Sequence, residues 1–210
     1  KYIGGASDLI GGAICASEAF IGDLMDLHMG PLMLLGPTLD PRVAADIALR
    51  LPHLPLRMEA HGCRALELAR RAADLGVPVT YPGLATHPDH ELMRKLHLAE
   101  YGFGGLMTID AGDEERARAL LTTLQNDHRF GWVAVSLGYF DTLMSCSAAS
   151  TSSEMPDEAL AEAGIGPGLV RLSVGYTGTL EQRWGQLEAA LRSTGIAPAP
   201  RTANIGVVSG

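Results

Sequence analysis

After residue 55 the sequence alternates between short apolar runs and longer amphipathic segments, and this alternation constrains the fold most strongly. The apolar runs predict four strands, at Val77–Tyr81, Gly105–Asp110, Trp132–Leu137 and Gly168–Val174. The segments with helical periodicity are Leu56–Leu75, Pro88–Ala99, a stretch capped by Asp113, and a stretch that begins after Thr179. Strands that alternate with helices in this way are typical of α/β proteins. We therefore expect a sheet packed by helices over this part of the chain.

Before residue 55 the signals are weaker. Residues 9–16 form a short apolar run, which predicts a buried strand. Residues 17–29 predict a helix with Ser17 as its N-cap. Asp40 followed by Pro41 predicts the start of another helix, because proline is well suited to the first helical position.

The chain divides most naturally near residue 54. Residues 1–54 look too small to fold alone, whereas residues 55–194 contain their own strands and helices. Residues 195–210 are rich in Ala, Pro and Gly and predict a flexible tail. Residues 138–156 are rich in serine and lack helical periodicity, which predicts a long loop. Loops of that length inside a compact domain are often functional.

Composition argues against several classes of partner. The net charge is −8, which disfavours nucleic acid, because phosphate binding needs concentrated Lys and Arg. No apolar run approaches the roughly 20 residues that a membrane span requires, and no signal peptide is visible. The three cysteines form no CxxC pair and are odd in number, which favours a reducing, cytoplasmic setting. We therefore expect a cytoplasmic protein that binds neither nucleic acid nor membrane.

Two groups of residues have spacings that a metal site would use. His87 and His90 lie three residues apart, and His61 lies two residues before Cys63. Neither group has a convincing third or fourth ligand, which a structural metal needs. We expect no metal site.

Arg171 stands in the middle of an otherwise apolar predicted strand. By the period of two, Arg171 and Ser173 share one face of this strand, and the apolar residues share the other. A buried guanidinium needs an anionic partner. That partner is either a nearby Asp or Glu or the carboxylate of a ligand, which the planar guanidinium can hold with two hydrogen bonds.

Two further residues are ambiguous when they are taken alone. Ser136 closes a predicted strand and opens the serine-rich loop, where it either begins the loop or contributes to a site. Lys1 precedes a glycine-rich turn, which allows the backbone to approach a ligand closely, although most lysines are simply solvated.

Four segments in a fixed order change this balance. They are KYIGGASDLIGG at 1–12, YGFGG at 101–105, AVSLG at 134–138 and GLVRLSVG at 168–175. Together they resemble the cystathionine γ-synthase/methionine γ-lyase family of Cys/Met metabolism, a branch of the fold-type-I enzymes that depend on pyridoxal 5′-phosphate (PLP). The resemblance covers nearly all of residues 1–193. Within the family, residues 136–154 and 173–184 most resemble the methionine γ-lyase branch of plants and related bacteria.

The resemblance implies a fold and an arrangement of domains. Residues 1–54 would be the end of a large PLP-binding domain with a linker helix, and residues 55–194 a small α/β domain whose mainly antiparallel sheet is packed by helices. The groups that hold the PLP ring and phosphate precede the lysine in this family, and a partner subunit contributes to them. We therefore expect that these 210 residues alone do not assemble a competent PLP site. The resemblance also implies a homotetramer built from two dimers.

The resemblance also assigns the candidate site residues. Lys1 would be the catalytic lysine that binds PLP as a Schiff base and then transfers protons. Arg171 would bind the α-carboxylate of an amino-acid substrate with help from Ser136, and Thr151 would line the substrate pocket. The implied reaction is γ-elimination of methionine to methanethiol, 2-oxobutanoate and ammonia.

Four alternatives to a methionine γ-lyase remain open. Departures at Leu35–Leu39 and at Cys146-Ser147 are typical of the plant-like branch and leave a cystathionine γ-lyase or γ-synthase, or an O-acylhomoserine sulfhydrylase, as alternatives. A further alternative is a non-catalytic, oligomerising fragment of the family.

Overall fold

A five-stranded sheet forms the centre of the molecule. The structure is a computed structural model that describes residues 1–148 and 154–198. The strands are β1 (Val79–Thr80), β2 (Leu106–Asp110), β3 (Trp132–Val133), β4 (Leu143–Cys146) and β5 (Leu169–Ser173). Their order across the sheet is β1-β2-β5-β4-β3. Only the β3–β4 pair is parallel, and the other three pairs are antiparallel. The prediction of an α/β fold with a mainly antiparallel sheet is therefore confirmed.

Eight α-helices accompany the sheet in the described part of the chain. They are α1 (Glu18–Leu24), α2 (Pro31–Leu35), α3 (Pro41–Arg50), α4 (Leu54–Asp74), α5 (His90–Leu96), α6 (Glu114–Thr122), α7 (Asp157–Glu162) and α8 (Leu180–Ser193). The predicted N-caps Ser17, Asp40, Asp113 and Thr179 each accept a hydrogen bond from a backbone N–H of the first turn. None of the described helices is both long enough and apolar enough to cross a membrane.

One face of the sheet forms the hydrophobic core with α4, α6 and α8. Alternate residues of β2, β4 and β5 point to this face and are buried: Met107, Ile109, Met144, Val170 and Leu172. Helix residues such as Leu68, Leu120 and Leu187 cover them. Because side chains alternate along a strand, the residues between them point to the opposite face, on which Arg171 and Ser173 lie. The core therefore fixes which side chains of β5 remain for a site.

The segment before α4 is organised differently. Helices α1, α2 and α3 contain no buried residue, and large apolar side chains such as Ile10 are exposed. The strand predicted at 9–16 is wrong: these residues form no strand, and all except Leu9 are exposed. A strand is stable only with a hydrogen-bonded neighbour, and no described strand lies beside this run.

The loop predicted at 138–156 is also wrong in part. It contains β4, whose four residues are all buried and which lies between β3 and β5 in the sheet. The sequence of β4 is Leu-Met-Ser-Cys, which lies in a serine-rich segment and shows no alternation. A strand in the middle of a sheet does not need alternation when both of its faces are covered. The helix α7 follows directly after the predicted loop.

The far end of the domain extends past the last predicted helix. Ile196 packs against the core and Ala197 is buried in it, after α8 has ended. The described chain continues to Pro198, so the boundary drawn at residue 194 falls just before these two contacts.

A buried ion pair joins three loops at one end of the sheet. Arg183 on α8 donates to Asp141 Oδ1 at 2.9 Å, and the side chains of both residues are largely buried. The same guanidinium donates to the carbonyl oxygens of Arg129, Phe130 and Thr177, at 2.9, 3.0 and 3.1 Å. These bonds satisfy the charge inside the protein and tie the turn before β4 to the segment after β5.

We expect Asp141→Ala to lower the free energy of unfolding by about 2–3 kcal/mol, because it leaves the Arg183 guanidinium without its carboxylate in a buried position. The matched control is Arg118→Ala, which breaks the exposed Arg118–Glu114 pair and should change stability much less. Urea unfolding followed by circular dichroism measures both. Equal losses in the two variants would contradict this role of Asp141.

Candidate functional site

Lys1 lies at the start of a tight turn on the surface. The Gly5 N–H donates to the Lys1 carbonyl oxygen at 2.8 Å, and Gly5 has a positive φ of 77° that favours glycine. The Lys1 side chain is exposed and borders an open cavity of about 420 Å³, which Ser7 and Leu9 also line. A cavity of this size is within the range used by small ligands. The turn therefore presents a primary amine to a space that a small cofactor fits.

Two arginines hold the carbonyl groups of this turn. Arg57 on α4 donates to the carbonyl oxygens of Tyr2 at 2.5 Å and Ile3 at 2.9 Å. Arg50 at the end of α3 donates to the Gly4 carbonyl oxygen at 3.1 Å and forms a bidentate pair with Asp8, at 2.6 and 2.8 Å. Charged donors make strong hydrogen bonds to backbone carbonyls. The lysine turn is therefore fixed to α3 and α4.

Arg171 lies near the middle of the sheet on the face opposite the core. Its neighbours across the ladders are Thr108 on β2 and Ser145 on β4. The Arg171 Nη2 donates to the Ser136 carbonyl oxygen at 3.0 Å, while Nε is buried and has no hydrogen-bond partner among the described residues. Burial lowers the pKa of Arg171, an effect that Tyr2 partly opposes.

The sequence left two possible partners for the Arg171 guanidinium, an Asp or Glu of the chain and the carboxylate of a ligand. The described side chains do not provide the first. No Asp or Glu within residues 1–148, 154–156 and 158–198 forms an ion pair with Arg171, although nine other ion pairs are present there. A partly buried cation without an anion is costly for the folded protein. An anionic ligand would remove that cost.

Ser136 lies beside Arg171 in the structure, but it contacts Arg171 with its backbone carbonyl group and not with its hydroxyl. Ser136 is half-buried after the end of β3, and it is its carbonyl group that accepts the hydrogen bond from Arg171. Part of the donor capacity of Arg171 is thus used to hold the loop that begins at Ser136. Thr151, the third predicted substrate-binding residue, lies outside the described residues.

Sequence reasoning missed a partly buried aromatic cluster beside Lys1. The Tyr2 and His61 rings lie edge to face with centroids 5.1 Å apart, and the Tyr176 and His61 rings do so with centroids 5.0 Å apart. Burial raises the pKa of Tyr2, while Ser173 and Arg171 oppose the rise. The only signal in the sequence was the presence of Tyr2 in the glycine-rich motif, and His61 was considered only as a metal ligand.

His61 is buried completely and is held in its neutral form. Its Nδ1 donates to the Val174 carbonyl oxygen at 2.6 Å, since a carbonyl can only accept. Burial lowers the pKa of His61, and the hydrogen bond to Val174 only partly offsets this effect. The positive charges of Arg57 and Arg64 lower this pKa further, because they oppose a positive charge on the ring.

The remaining histidines of the predicted metal candidates have structural contacts. His87 Nδ1 accepts from the Asp89 N–H at 3.1 Å, and His90 stacks on Phe103. Among the residues that the structure describes, no three His, Cys, Asp or Glu side chains are grouped so that they could hold a metal ion.

We expect the stability of the protein to fall as the pH drops below about 6.5, because the unfolded state then binds a proton at His61 that the folded state excludes. The stability that a neutral His61 provides is present above the unfolded pKa and is lost on acidification. His61→Gln cannot be protonated, so its difference in unfolding free energy from the wild type should narrow from pH 8 to pH 5. Thermal unfolding at several pH values measures this difference. A difference that is constant or grows in acid would contradict the neutral state of His61.

Comparison with known proteins places the chain among enzymes of sulfur amino acids. A sequence model of the family described as "Cys/Met metabolism PLP-dependent enzyme" matches residues 1–191. A methionine gamma-lyase of Arabidopsis thaliana is 54% identical over 190 residues, which are 90% of this chain and 43% of that protein. A cystathionine gamma-lyase of Bacillus subtilis is 35% identical, with 83% of this chain and 44% of that protein covered.

A solved structure supports the same fold. The crystal structure of a cystathionine gamma synthase from Xanthomonas oryzae pv. oryzae, in complex with aminoacrylate and cysteine, matches with a TM-score of 0.75 and 33% identity. The match covers 93% of this chain and 48% of that one. The chain thus spans less than half the length of the relatives it matches.

Proposed function

This chain belongs to the family of Cys/Met metabolism PLP-dependent enzymes, and from that premise we propose that the protein containing it is a PLP-dependent carbon–sulfur lyase that cleaves methionine. The products would be methanethiol, 2-oxobutanoate and ammonia. The 54% identity to a methionine gamma-lyase favours methionine among the substrates of the family. The structural observation that carries the proposal is Arg171, a partly buried guanidinium that has no carboxylate partner among the described residues.

Lys1 is the residue proposed to bind the cofactor. Its exposed amine beside a cavity fits the attachment of an aldehyde cofactor, and the turn around it is fixed by Arg50 and Arg57. When bound, PLP supplies an electron sink that stabilises negative charge at the substrate carbon atoms. The Lys1 amine, when it is not bonded to the cofactor, would be the base that takes the proton from the substrate Cα.

Arg171 is proposed to bind the α-carboxylate of the substrate. Its side chain is only partly buried, so that part of the guanidinium can face a ligand while Nη2 holds the Ser136 carbonyl group. Binding the carboxylate orients the substrate amine and Cα with respect to Lys1, which lowers the entropic part of the barrier. We propose that Ser136 and Thr151 complete this pocket.

A second candidate function is supported by other relatives. A cystathionine gamma-synthase of Arabidopsis thaliana and an O-succinylhomoserine sulfhydrylase of Pseudomonas aeruginosa are 32% and 33% identical to this chain. The protein would then add a thiol to an activated homoserine or cleave cystathionine. The residues named above would have the same roles in either reaction, since every one of these substrates carries an α-amino and an α-carboxylate group.

We also propose that the protein acts as a homotetramer in the cytoplasm. In support, large apolar side chains of the first 54 residues are exposed, among them Ile10, Leu27, Met29 and Leu35. Exposed apolar surface of this extent is typical of regions that contact further protein. If these residues instead belong to a non-catalytic oligomerising fragment, the isolated protein should have a mass near 22.2 kDa and no PLP absorbance.

The direct test of the reaction uses the full-length protein with PLP. We expect methanethiol release from methionine to exceed, in kcat/KM, both the cleavage of cystathionine and the addition of sulfide to O-succinylhomoserine. Headspace gas chromatography measures methanethiol, and a coupled dehydrogenase assay measures 2-oxobutanoate. No release from methionine, together with turnover of either other substrate, would favour the second candidate and contradict the first.

We expect Arg171→Lys to lower kcat/KM for methionine by about 10- to 100-fold, because lysine cannot make the planar, bidentate contact with a carboxylate. The loss should be mainly in KM, since the contact is made already in the bound substrate. The matched control is Arg70→Lys, at an exposed position of α4, which should leave both constants unchanged. An unchanged KM for Arg171→Lys would show that the carboxylate is bound elsewhere.

A further inference from the structure

The residue directly after Lys1 points into the molecule. While Lys1 is exposed, the Tyr2 ring contacts the buried ring of His61, and the Tyr2 Oη is itself buried. Gly105 leaves room for this hydroxyl: a Cβ there would lie 3.1 Å from the Tyr2 Oη. The backbone on the other side of Tyr2 is held by Arg57. Tyr2 is therefore fixed at both its ring and its carbonyl group.

The backbone of Tyr2 lies against the segment that follows Ser136. A Cβ on Gly138 would come within 2.6 Å of the Tyr2 N and 3.0 Å of its Cα, so that only glycine allows this approach. Gly138 also has a φ of 74°, which is rarely adopted by other residues. Its N–H donates to Ser173 Oγ at 3.0 Å. Tyr2 is thus packed on a loop that β5 holds in place.

These contacts connect Lys1 and Arg171, the two proposed ends of the substrate site, through a short series of neighbouring residues. Tyr2 is bonded covalently to Lys1 and packs on Gly138, which lies two residues after Ser136. The Ser136 carbonyl oxygen accepts a hydrogen bond from Arg171. Arg171 lies two residues before Ser173, whose Oγ accepts a hydrogen bond from the Gly138 N–H. A shift of the Tyr2 ring would therefore move Lys1 with respect to Arg171.

We propose that Tyr2 is a positioning residue that sets the distance between the amine of Lys1 and the carboxylate-binding guanidinium of Arg171. This inference rests on the proposed function of Lys1 and Arg171. The ring is the part that acts, because it provides the edge-to-face contact with His61. At Gly138 only the ring atom Cγ takes part, beside the backbone N and Cα. A misplacement of reacting groups by about 1 Å can reduce a rate by about 100-fold, even when each group still binds its own partner.

The test compares Tyr2→Leu and Tyr2→Phe in the full-length protein with PLP. Tyr2→Leu should lower kcat for methionine by about 10- to 100-fold. The inhibition constant of 4-(methylthio)butanoate, which has the carboxylate but no amine, should change less than about twofold, because Arg171 itself is intact. Tyr2→Phe, which keeps the ring, should restore kcat. A further readout is the pH titration of the visible absorbance of bound PLP, which should shift in Tyr2→Leu only.

A measurement without the cofactor separates positioning from general damage. Hydrogen exchange of residues 2–8 should be faster in Tyr2→Leu than in the wild type and Tyr2→Phe. The control is Tyr176→Leu, which removes the other aromatic contact of His61 and keeps Tyr2. Tyr176→Leu should lower the melting temperature. It should change neither the pH titration of the PLP absorbance nor the hydrogen-exchange rate of residues 2–8.

The outcomes that overturn the proposal are distinct from those that overturn the function. If the wild type binds PLP and cleaves a sulfur amino acid while Tyr2→Leu keeps its kcat, Tyr2 does not position Lys1. A loss in Tyr2→Phe as large as in Tyr2→Leu, or an equal titration shift in Tyr176→Leu, also overturns the role of the ring. A wild type that binds no PLP and cleaves none of the substrates overturns the function and this role with it.

Discussion

The burial of one guanidinium in the middle of the sheet is the constraint on which the rest of the site depends. Arg171 lies on β5 between Thr108 and Ser145, and no carboxylate of the described residues neutralises it. An arginine in this position weakens the fold unless an anion is bound for part of the time. The hydrophobic core on the opposite face of β5, formed by Val170 and Leu172, supplies the stability that keeps this strand in place. The sheet thus holds a positive charge that the described side chains do not neutralise.

The lysine turn and the sheet belong to different parts of the chain, yet they are fastened to each other. Arg50 and Arg57 hold the carbonyl groups of the turn from the side of α3 and α4. Tyr2 links it to the sheet as well, because its ring contacts His61 on α4, and His61 is hydrogen-bonded to the Val174 carbonyl oxygen just after β5. A reaction that needs an amine and a guanidinium at a fixed separation gains from such double attachment, because the entropy of placing them has been lost during folding.

Part of this arrangement could be predicted from the sequence. The strands around residues 106–110 and 169–173 and the helices with clear N-caps follow from local patterns and agree with the structure. The strand β4 was missed because a central strand covered on both faces has no alternation. Residues 9–16 were predicted as a strand because an apolar run says nothing about the neighbour that a strand needs.

The site itself depends on contacts that local patterns do not encode. Ser136 and Arg171 are 35 residues apart and Tyr2 and His61 are 59 apart, so only the resemblance to a family predicted the first pair and nothing predicted the second. The resemblance named the residues of the site but not the way they are held. That Ser136 contacts Arg171 through its carbonyl group could not be read from its identity as a serine.

The most direct measurement of the central proposal is to locate the cofactor. The chain has only two lysines, Lys1 and the exposed Lys95 on α5, so the two can be compared in one experiment. Full-length protein loaded with PLP is reduced with borohydride, digested and analysed by mass spectrometry. The proposal predicts a pyridoxyl group on Lys1, its loss in Lys1→Ala and its retention in Lys95→Ala. A pyridoxyl group on any other lysine, or on none, would contradict it.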